Sequence, residues 1–375
     1  MRRLAILHTE YSDGWGGQEM RIVAEARGIA ARGHRVIIAA RPQCQILTHA
    51  GAAGLATFAL PIRANVDVAA IARLRRLIRT ERIDIVNTHS SIDAWAGGIA
   101  AQLAAVRLVR TRHVSKRVRR HLLNFVHTLP DVTITTGAAL RLQFLSDTGI
   151  AAQRVVSIPT GVDVGRFQPQ TDGVTLRQKL GVAGETKIIV NVGVLRRAKR
   201  QVLLVDALAR LPSNAGTALP HLVIAGAGSQ RTAIEQRAAE LGLAARVHLL
   251  GHVDDVRWVL AGADVVASAS SGMEGVPQAL VQALAMAKPV VATDDGAVGE
   301  VIRDGDTGVL VPPEDIDRLS AAIAELLAAP DGAASYGARG HALVSASYSY
   351  EGMLDAVERV YAQLCSCRRQ TATVR

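Results

Sequence analysis

The sequence predicts an α/β protein built from two doubly wound parallel sheets, and three observations carry that reading. Short β-branched runs alternate with longer amphipathic stretches along the chain, the pattern of parallel sheets covered by helices. The 375 residues are about twice an ordinary domain of 100 to 200 residues. A polar stretch with Gly and Pro, Thr160 to Thr186, interrupts the alternation before it resumes.

In the first series the expected strands are Leu4 to Thr9, His34 to Ala40, Leu55 to Leu60, Ile83 to Thr88, Arg107 to Thr111, Asp131 to Thr135 and Val155 to Ile158. Helices fall between most of them. Met20, Val23, Ala24 and Ile29 give the first helix one apolar face, and Gly33 stops it. The second series has strands at Lys187 to Val192, His221 to Ala225, Val247 to Leu250, Asp264 to Ala267, Pro289 to Ala292 and Gly308 to Val311. The expected domains are therefore 1–163 and 164–348, followed by 349–375, where Met353, Val357, Val360 and Leu364 stand at helical spacing. Ligands of such sheets bind beyond the carboxyl ends of the strands, so two facing domains imply an interdomain cleft.

Hydrophobic residues make up 49% and charged residues 20%, which excludes a disordered chain. The apolar runs are strand-sized and far short of the ~20 residues that span a bilayer. The run behind Met1-Arg2-Arg3, Leu4 to Leu7, is too short for a secretory signal, and Cys44, Cys365 and Cys367 lack metal or redox spacing. A cytoplasmic protein with reduced thiols is expected. Net charge is +10, but residues 1–163 carry +11 and the remainder −1. Such a field favours anionic partners. Between Arg107 and Arg120 stand seven cations (Arg107, Arg110, Arg112, Lys116, Arg117, Arg119 and Arg120) and no acid, so they repel one another unless something anionic binds.

The chemistry-bearing residues sit where strands end. Gly14-Trp15-Gly16-Gly17-Gln18-Glu19 joins the first strand to the first helix, where a glycine pair lets the backbone approach a ligand and a helix N-terminus offers N–H groups to phosphate. His89 and His113 follow strands of the first series, placed to donate to an anionic oxygen. In the second series Gly193-Val194-Leu195-Arg196-Arg197-Ala198-Lys199-Arg200 puts four cations between strand and helix, which suits a diphosphate. Ser270-Ser271-Gly272-Met273-Glu274-Gly275-Val276-Pro277 places a carboxylate in a glycine-flanked loop, ready to accept from hydroxyls, and Leu280 to Leu284 continues as a helix carrying Gln282.

In this order the motifs resemble the retaining GT-B glycosyltransferases of family 4, from the glycine loop to about Leu327 and most strongly over 187–312. Glu274 matches the first Glu of that family's Glu-x7-Glu motif, Gly161-Val162-Asp163 its linker signature, Lys199 its diphosphate-binding Lys, His113 its cleft histidine, Gly16-Gly17 its glycine loop and Glu300 the Glu opening its next helix. The family's second Glu falls on Gln282 and the Arg after its loop glycine on Val194; Arg196 or Arg197 replaces that cation.

The resemblance implies a GT-B fold of two Rossmann-like domains, the first for the acceptor and the second for a nucleotide sugar, with the last helix crossing back to the first. It further implies a retaining transfer with no protein nucleophile, in which a phosphate oxygen takes the acceptor's proton. His113, Lys199 and Glu274 would be catalytic. Gly16, Gly17, Arg196, Arg197, Gly275, Val276, Pro277 and Gln282 would bind the donor, and His89, Arg117 and Arg120 the acceptor. No cofactor and no metal is expected, since Asp304-Gly305-Asp306 lies in a turn and Asp315-Ile316-Asp317 opens a helix. The charge of 1–163 points to a glycan or lipid-linked acceptor of lipopolysaccharide or polysaccharide synthesis, with peripheral attachment to the inner face of the cytoplasmic membrane through Arg73, Arg75, Arg76 and Arg79 and through Arg117, Arg119 and Arg120. A sugar-nucleotide epimerase is the neighbouring reading. Nucleic acid is not an expected partner, because aromatics are only 3% and no reading motif is present.

Overall fold

The computed structural model describes residues 2–113, 117–118, 122–169, 174–212, 219–272 and 275–366, which form two compact units. The first spans residues 1–159 and takes in 352–375; the second spans 160–351.

In the first unit β1 (Ala5–Glu10), β2 (Arg35–Ala40), β3 (Ala56–Ala59), β4 (Ile85–Thr88), β5 (Arg107–Arg112), β6 (Val132–Thr135) and β7 (Val155–Ser157) alternate with α1 (Gly17–Ala31), α2 (Gln45–Ala52), α3 (Val68–Thr80), α4 (Asp93–Ala104) and α5 (Ala138–Thr148). The strands pair in parallel in the order β3-β2-β1-β4-β5-β6-β7. Leu7, Ile37, Val86 and Leu108 meet Leu74, Ile78, Ala96 and Ala100 in a continuous core under α3 and α4. Gly97 of α4 allows that approach, because a Cβ there would stand 2.7 Å from Thr88 Cγ2.

The face of α1 differs from the expected one. Val23 and Ile29 are buried as expected, but Met20 and Ala24 are only half-buried, while Arg21, Ile22, Glu25 and Ala26 are buried as well. The reason is tertiary: Tyr361 of the last helix, α13 (Tyr350–Ser366), donates its hydroxyl proton to Glu25 at 3.2 Å. One turn earlier in the same helix Glu358 accepts from Arg32 at 3.0 Å and contacts the His34 ring nitrogen at 3.0 Å. The chain's end is thus part of the first unit.

The second unit holds α6 (Val174–Leu180), β8 (Ile188–Val192), α7 (Gln201–Ala209), β9 (His221–Ala225), α8 (Arg231–Glu240), β10 (Val247–Gly251), α9 (Arg257–Ala261), β11 (Val265–Ser268), α10 (Gln278–Ala285), β12 (Val290–Thr293), β13 (Val309–Val311), α11 (Ile316–Ala328) and α12 (Pro330–Ser347). Its parallel sheet runs β10-β9-β8-β11-β12-β13. Val162 donates to the Tyr348 carbonyl and accepts from Tyr350, each at 2.8 Å, and a Cβ on Gly161 would stand 2.5 Å from the Ser349 carbonyl. The two chain segments that enter and leave this unit are therefore laid side by side, at a glycine that only its missing side chain admits. Among the described residues no helix is long and apolar enough to cross a membrane.

Candidate functional site

Each sheet reverses its strand order once, between β1 and β4 in the first and between β8 and β11 in the second. Ligands of open α/β sheets bind beyond the carboxyl ends of the strands at such points. The residues at the ends of those four strands therefore form the candidate sites.

In the first unit the loop leaving β1 is organised by Glu10. Its carboxyl group accepts the backbone N–H groups of Tyr11 (2.7 Å) and Ser12 (2.8 Å) and the side-chain amide of Gln18 (2.6 Å). Burial, with the charge of Asp93 nearby, pushes Glu10 up to about 8. Gly16 is the N-cap of α1, and its N–H donates to the Glu19 carboxylate at 2.9 Å. One N–H of the expected phosphate-facing turn is thus already engaged.

Three imidazoles cross the same edge in a row. His8 Nδ1 lies 2.9 Å from His89 Nε2, and His89 Nδ1 lies 3.0 Å from His113 Nε2, with ring centroids 5.2 and 5.3 Å apart. Asp93 pins the loop that carries the middle ring, accepting from the N–H of His89 (3.0 Å), the N–H of Ser90 (2.7 Å) and the Thr9 hydroxyl (2.6 Å). Burial lowers His8 to about 4. Burial, the neighbouring rings and the Arg21 charge hold His89 and His113 well below the ordinary histidine range. A buried chain of side chains runs past them: Thr111 donates to Asn87 (3.1 Å), Asn87 to Tyr361 (3.0 Å) and Tyr361 to Glu25. Arg21 stands 3.6 Å from Glu25 and donates to the Ile158 carbonyl at 2.7 Å.

In the second unit the loop after β8 is held from below by glycines. Gly193 donates to the Ala225 carbonyl (3.0 Å) and Leu195 to the Ala227 carbonyl (2.9 Å). A Cβ on Gly226 would stand 1.9 Å from the Gly193 carbonyl oxygen. The Lys199 side chain passes Gly193, its Cε 3.8 Å from where a Cβ would be. The loop after β11 joins this one, since Ser271 donates its N–H to the Ala198 carbonyl at 2.8 Å. Arg196 and Arg197 are exposed and Lys199 is half-buried. Gly275, Val276 and Pro277 are buried where α10 begins, and Gln282 is buried on that helix.

The residue pattern has counterparts among known proteins. Residues 174–342 match the model of glycosyl transferases group 1, and residues 15–166 that of glycosyltransferase family 4. A GDP-mannose-dependent alpha-(1-6)-phosphatidylinositol monomannoside mannosyltransferase of Mycolicibacterium smegmatis is 30% identical over 288 residues, covering 72% of this chain and 73% of that one. The chain belongs to the group 1 glycosyltransferases. A D-inositol 3-phosphate glycosyltransferase of Geodermatophilus obscurus is 28% identical over 92% of this glycosyltransferase and 84% of its own length. The solved structure of Anabaena Alr3699/HepE in complex with UDP-glucose superposes with a TM-score of 0.85 at 22% identity, covering 96% of this chain and 100% of that one, which establishes the GT-B fold.

Against that family, most of the expected residues fall at the two strand reversals. Lys199, Arg196 and Arg197 stand on one loop, and the 270–272 loop touches it. Glu274 and Arg120 lie outside the described residues. Glu300 lies in the short 3-10 turn Val298–Glu300, where its carbonyl accepts from the Tyr348 hydroxyl at 2.9 Å. Arg200, the fourth cation of the loop, is spent on structure: its Nε donates to the Ser271 hydroxyl (3.0 Å) and its other end pairs with Glu314. His89, expected on an acceptor, has both ring nitrogens on neighbouring histidines.

Of the seven clustered cations Lys116, Arg119 and Arg120 lie outside the described residues, and the other four are dispersed. Arg107 reaches Asp131 at 3.4 Å, Arg110 is buried and donates to His127 at 2.9 Å, and Arg112 lies over the Phe144 ring at 4.8 Å, while Arg117 is exposed. Strand β5 carries Arg107, Arg110 and Arg112 toward the interior, where neighbours from elsewhere in the chain meet them. Both Asp-x-Asp pairs of the glycosyltransferase have structural employment: Asp304 accepts from the Leu310 N–H, Asp306 pairs with Arg339, Asp315 caps α11 and Asp317 pairs with Arg210. Sequence reasoning missed His8, Glu10, Arg21 and Asp93. A signal was present in His8-Thr9-Glu10, three polar residues ending a central parallel strand, where both faces are covered and a polar side chain needs an internal partner.

Proposed function

We propose that this glycosyltransferase moves a sugar from a nucleoside diphosphate sugar to an anionic glycan or lipid-linked acceptor with retention of configuration, without a metal or other cofactor, in the synthesis of lipopolysaccharide or another cell-surface polysaccharide. The observation that carries the reading is the junction of Ser271 with Ala198, which brings the Lys199 loop against the loop leading to Glu274. As the glycosidic bond breaks, charge grows on the diphosphate, and Lys199 with Arg196 or Arg197 offsets it. Glu274 orients sugar hydroxyls, Gln282 holds ribose, His113 meets the sugar or phosphate, and Gly16-Gly17 lets the donor approach the backbone. Retention follows when the acceptor attacks from the face the diphosphate leaves and a phosphate oxygen takes its proton.

Support for an anionic acceptor comes from the +11 charge of residues 1–163 and from two relatives whose names specify D-inositol 3-phosphate and a phosphatidylinositol monomannoside. The named relatives and neighbours use GDP-mannose or bind UDP-glucose, so both bases belong in the test. Calorimetry with UDP and GDP, followed by rates with UDP-glucose and GDP-mannose in excess chelator, should show one nucleotide preferred and chelator-resistant transfer to a phosphorylated glycan or glycolipid, the new bond keeping the donor's anomeric configuration. Epimer formation without transfer, or an inverted product, would overturn the reading. Arg73, Arg76 and Arg79 are exposed on α3, and each cation near anionic lipid is worth ~1 kcal/mol. Sedimentation with anionic vesicles should therefore fall when these three become Ser, and unchanged sedimentation would remove α3 from the attachment surface.

A further inference from the structure

The histidine row is built by register. His8 on β1 stands beside Asn87 on β4, and Thr88 beside Arg110 on β5. Parallel partners point to the same side of a sheet and side chains alternate with period two. His89 is two residues past Asn87, and His113 lies one strand over and two residues further again. Each step moves one strand sideways and one side-chain repeat toward the carboxyl edge, so the rings form a diagonal from the buried His8 to the half-buried His113.

With each ring neutral, the three protons have few arrangements. Every ring carries one N–H, and each nitrogen-to-nitrogen contact needs one donor and one acceptor. Only two concerted arrangements satisfy both contacts. In one, all three protons sit on Nδ1: His8 donates to His89, and His89 donates to His113. In the other, all sit on Nε2 and the donation runs backward, which places a proton on His8 Nε2. That atom is buried and has no hydrogen-bond partner among the described residues. A buried N–H without an acceptor is the rarer defect, so the first arrangement is favoured.

We propose that His8 and His89 are positioning residues which fix the His113 ring as the Nδ1–H tautomer, so that it presents a hydrogen-bond donor to an oxygen of the bound glycosyl substrate. The consequence for substrate rests on the reading of His113 given above; the tautomer does not. Of the charged and titratable groups around the row, Arg21 of α1 acts on His89 and His113 and stands beside Glu25, which accepts from Tyr361 of α13; Asp93, the first residue of α4, accepts from the His89 N–H, and Glu10 ends β1 two residues past His8. The Arg21 charge and burial keep the rings neutral, which the tautomer lock requires.

The test is long-range proton–nitrogen correlation on the full chain labelled with 15N-histidine, the His113 signals being assigned from their loss in His113→Gln. At pH 7 the wild-type protein should show His113 with a protonated Nδ1 and a bare Nε2. A bare Nδ1, or a doubly protonated ring, would overturn the proposal, and this measurement needs neither a variant nor a sugar substrate. His8→Leu should release the His113 tautomer into a mixture and lower kcat about tenfold, the size of one misdirected hydrogen bond. His8→Asn, whose amide nitrogen can stand where Nδ1 stood, should restore both. An unchanged His113 spectrum in folded His8→Leu would equally refute the lock. A wrong donor assignment would appear only in the rates, whereas a wrong relay would appear in the spectra.

Discussion

The two sheets share one strand order around their reversals but arm the edge there in opposite ways. At the carboxyl ends of β1 and β4 the first unit places titratable groups in the interior and suppresses their charge, with His8 lowered to about 4 and Glu10 raised to about 8. Past β8 and β11 the second unit leaves Arg196 and Arg197 in solvent on a loop shaped by backbone hydrogen bonds and a glycine contact. Buried neutral groups give direction, because their hydrogen bonds have few alternatives. Exposed cations give charge, which matters most when an anion develops beside them. The excess charge of the first 163 residues accordingly lies on faces such as α3 rather than in its histidine row.

The contrast breaks most sharply at Lys199. Lys199→Ala should lower kcat by ~10²-fold or more and weaken nucleoside diphosphate binding, as loss of a preorganised charge does. Glu274→Gln should impair transfer while leaving affinity for the bare nucleotide nearly unchanged, and Gln282→Ala should do the reverse. Initial rates and calorimetry on the three variants would read this, and near-normal kcat for folded Glu274→Gln would remove that residue from the site.

Backbone contact in the second unit is tested at Gly226. Gly226→Ala drives a methyl group into the Gly193 carbonyl, and urea unfolding should register about 3 kcal/mol, the upper end of an ordinary overpacking cost. A shift within error would mean that the loop yields and that its shape is not set there. The first unit has a weaker counterpart in Tyr361→Phe. Removing the hydroxyl between Asn87 and Glu25 leaves a buried amide without its acceptor, and stability should fall by about 1–2 kcal/mol.

The smallest effect concerns pH. Glu10 has a raised folded value, so the folded state holds a proton that the unfolded state releases above its ordinary carboxylate range. Its contribution to stability is complete at low pH and is lost as pH rises toward about 8. Glu10→Gln mimics the protonated carboxyl, and its stability relative to the wild-type chain should therefore grow between pH 5 and pH 8. A parallel pair of stability curves would show that Glu10 remains ionised.

How far the site was legible depended on the range of the contacts involved. The positions of the glycine loop and the Lys199 loop were legible because each is a local device, a turn between strand and helix whose residue types follow from backbone geometry. The histidine row was not, although His89 and His113 were singled out, since His8 enters it only through the register of β1 on β4. The arginines of β5 were read as one repelling cluster for the same reason. Their partners Asp131 and His127 lie 24 and 17 residues away along the chain and meet them only in the folded sheet.

By itself the sequence determined the alternation of strands and helices, the two-sheet organisation and the turns at the strand ends, because those depend on side-chain periodicity and on the φ, ψ freedom of single residues. Tertiary structure alone decided which charged groups are buried and which partners they meet. Arg21 and Glu25 read as ordinary residues of an amphipathic helix until Tyr361, 336 residues beyond Glu25, closes over them. A group's charge state is set by the solvent it loses and the neighbours it gains, and both come from parts of the chain that periodicity cannot connect.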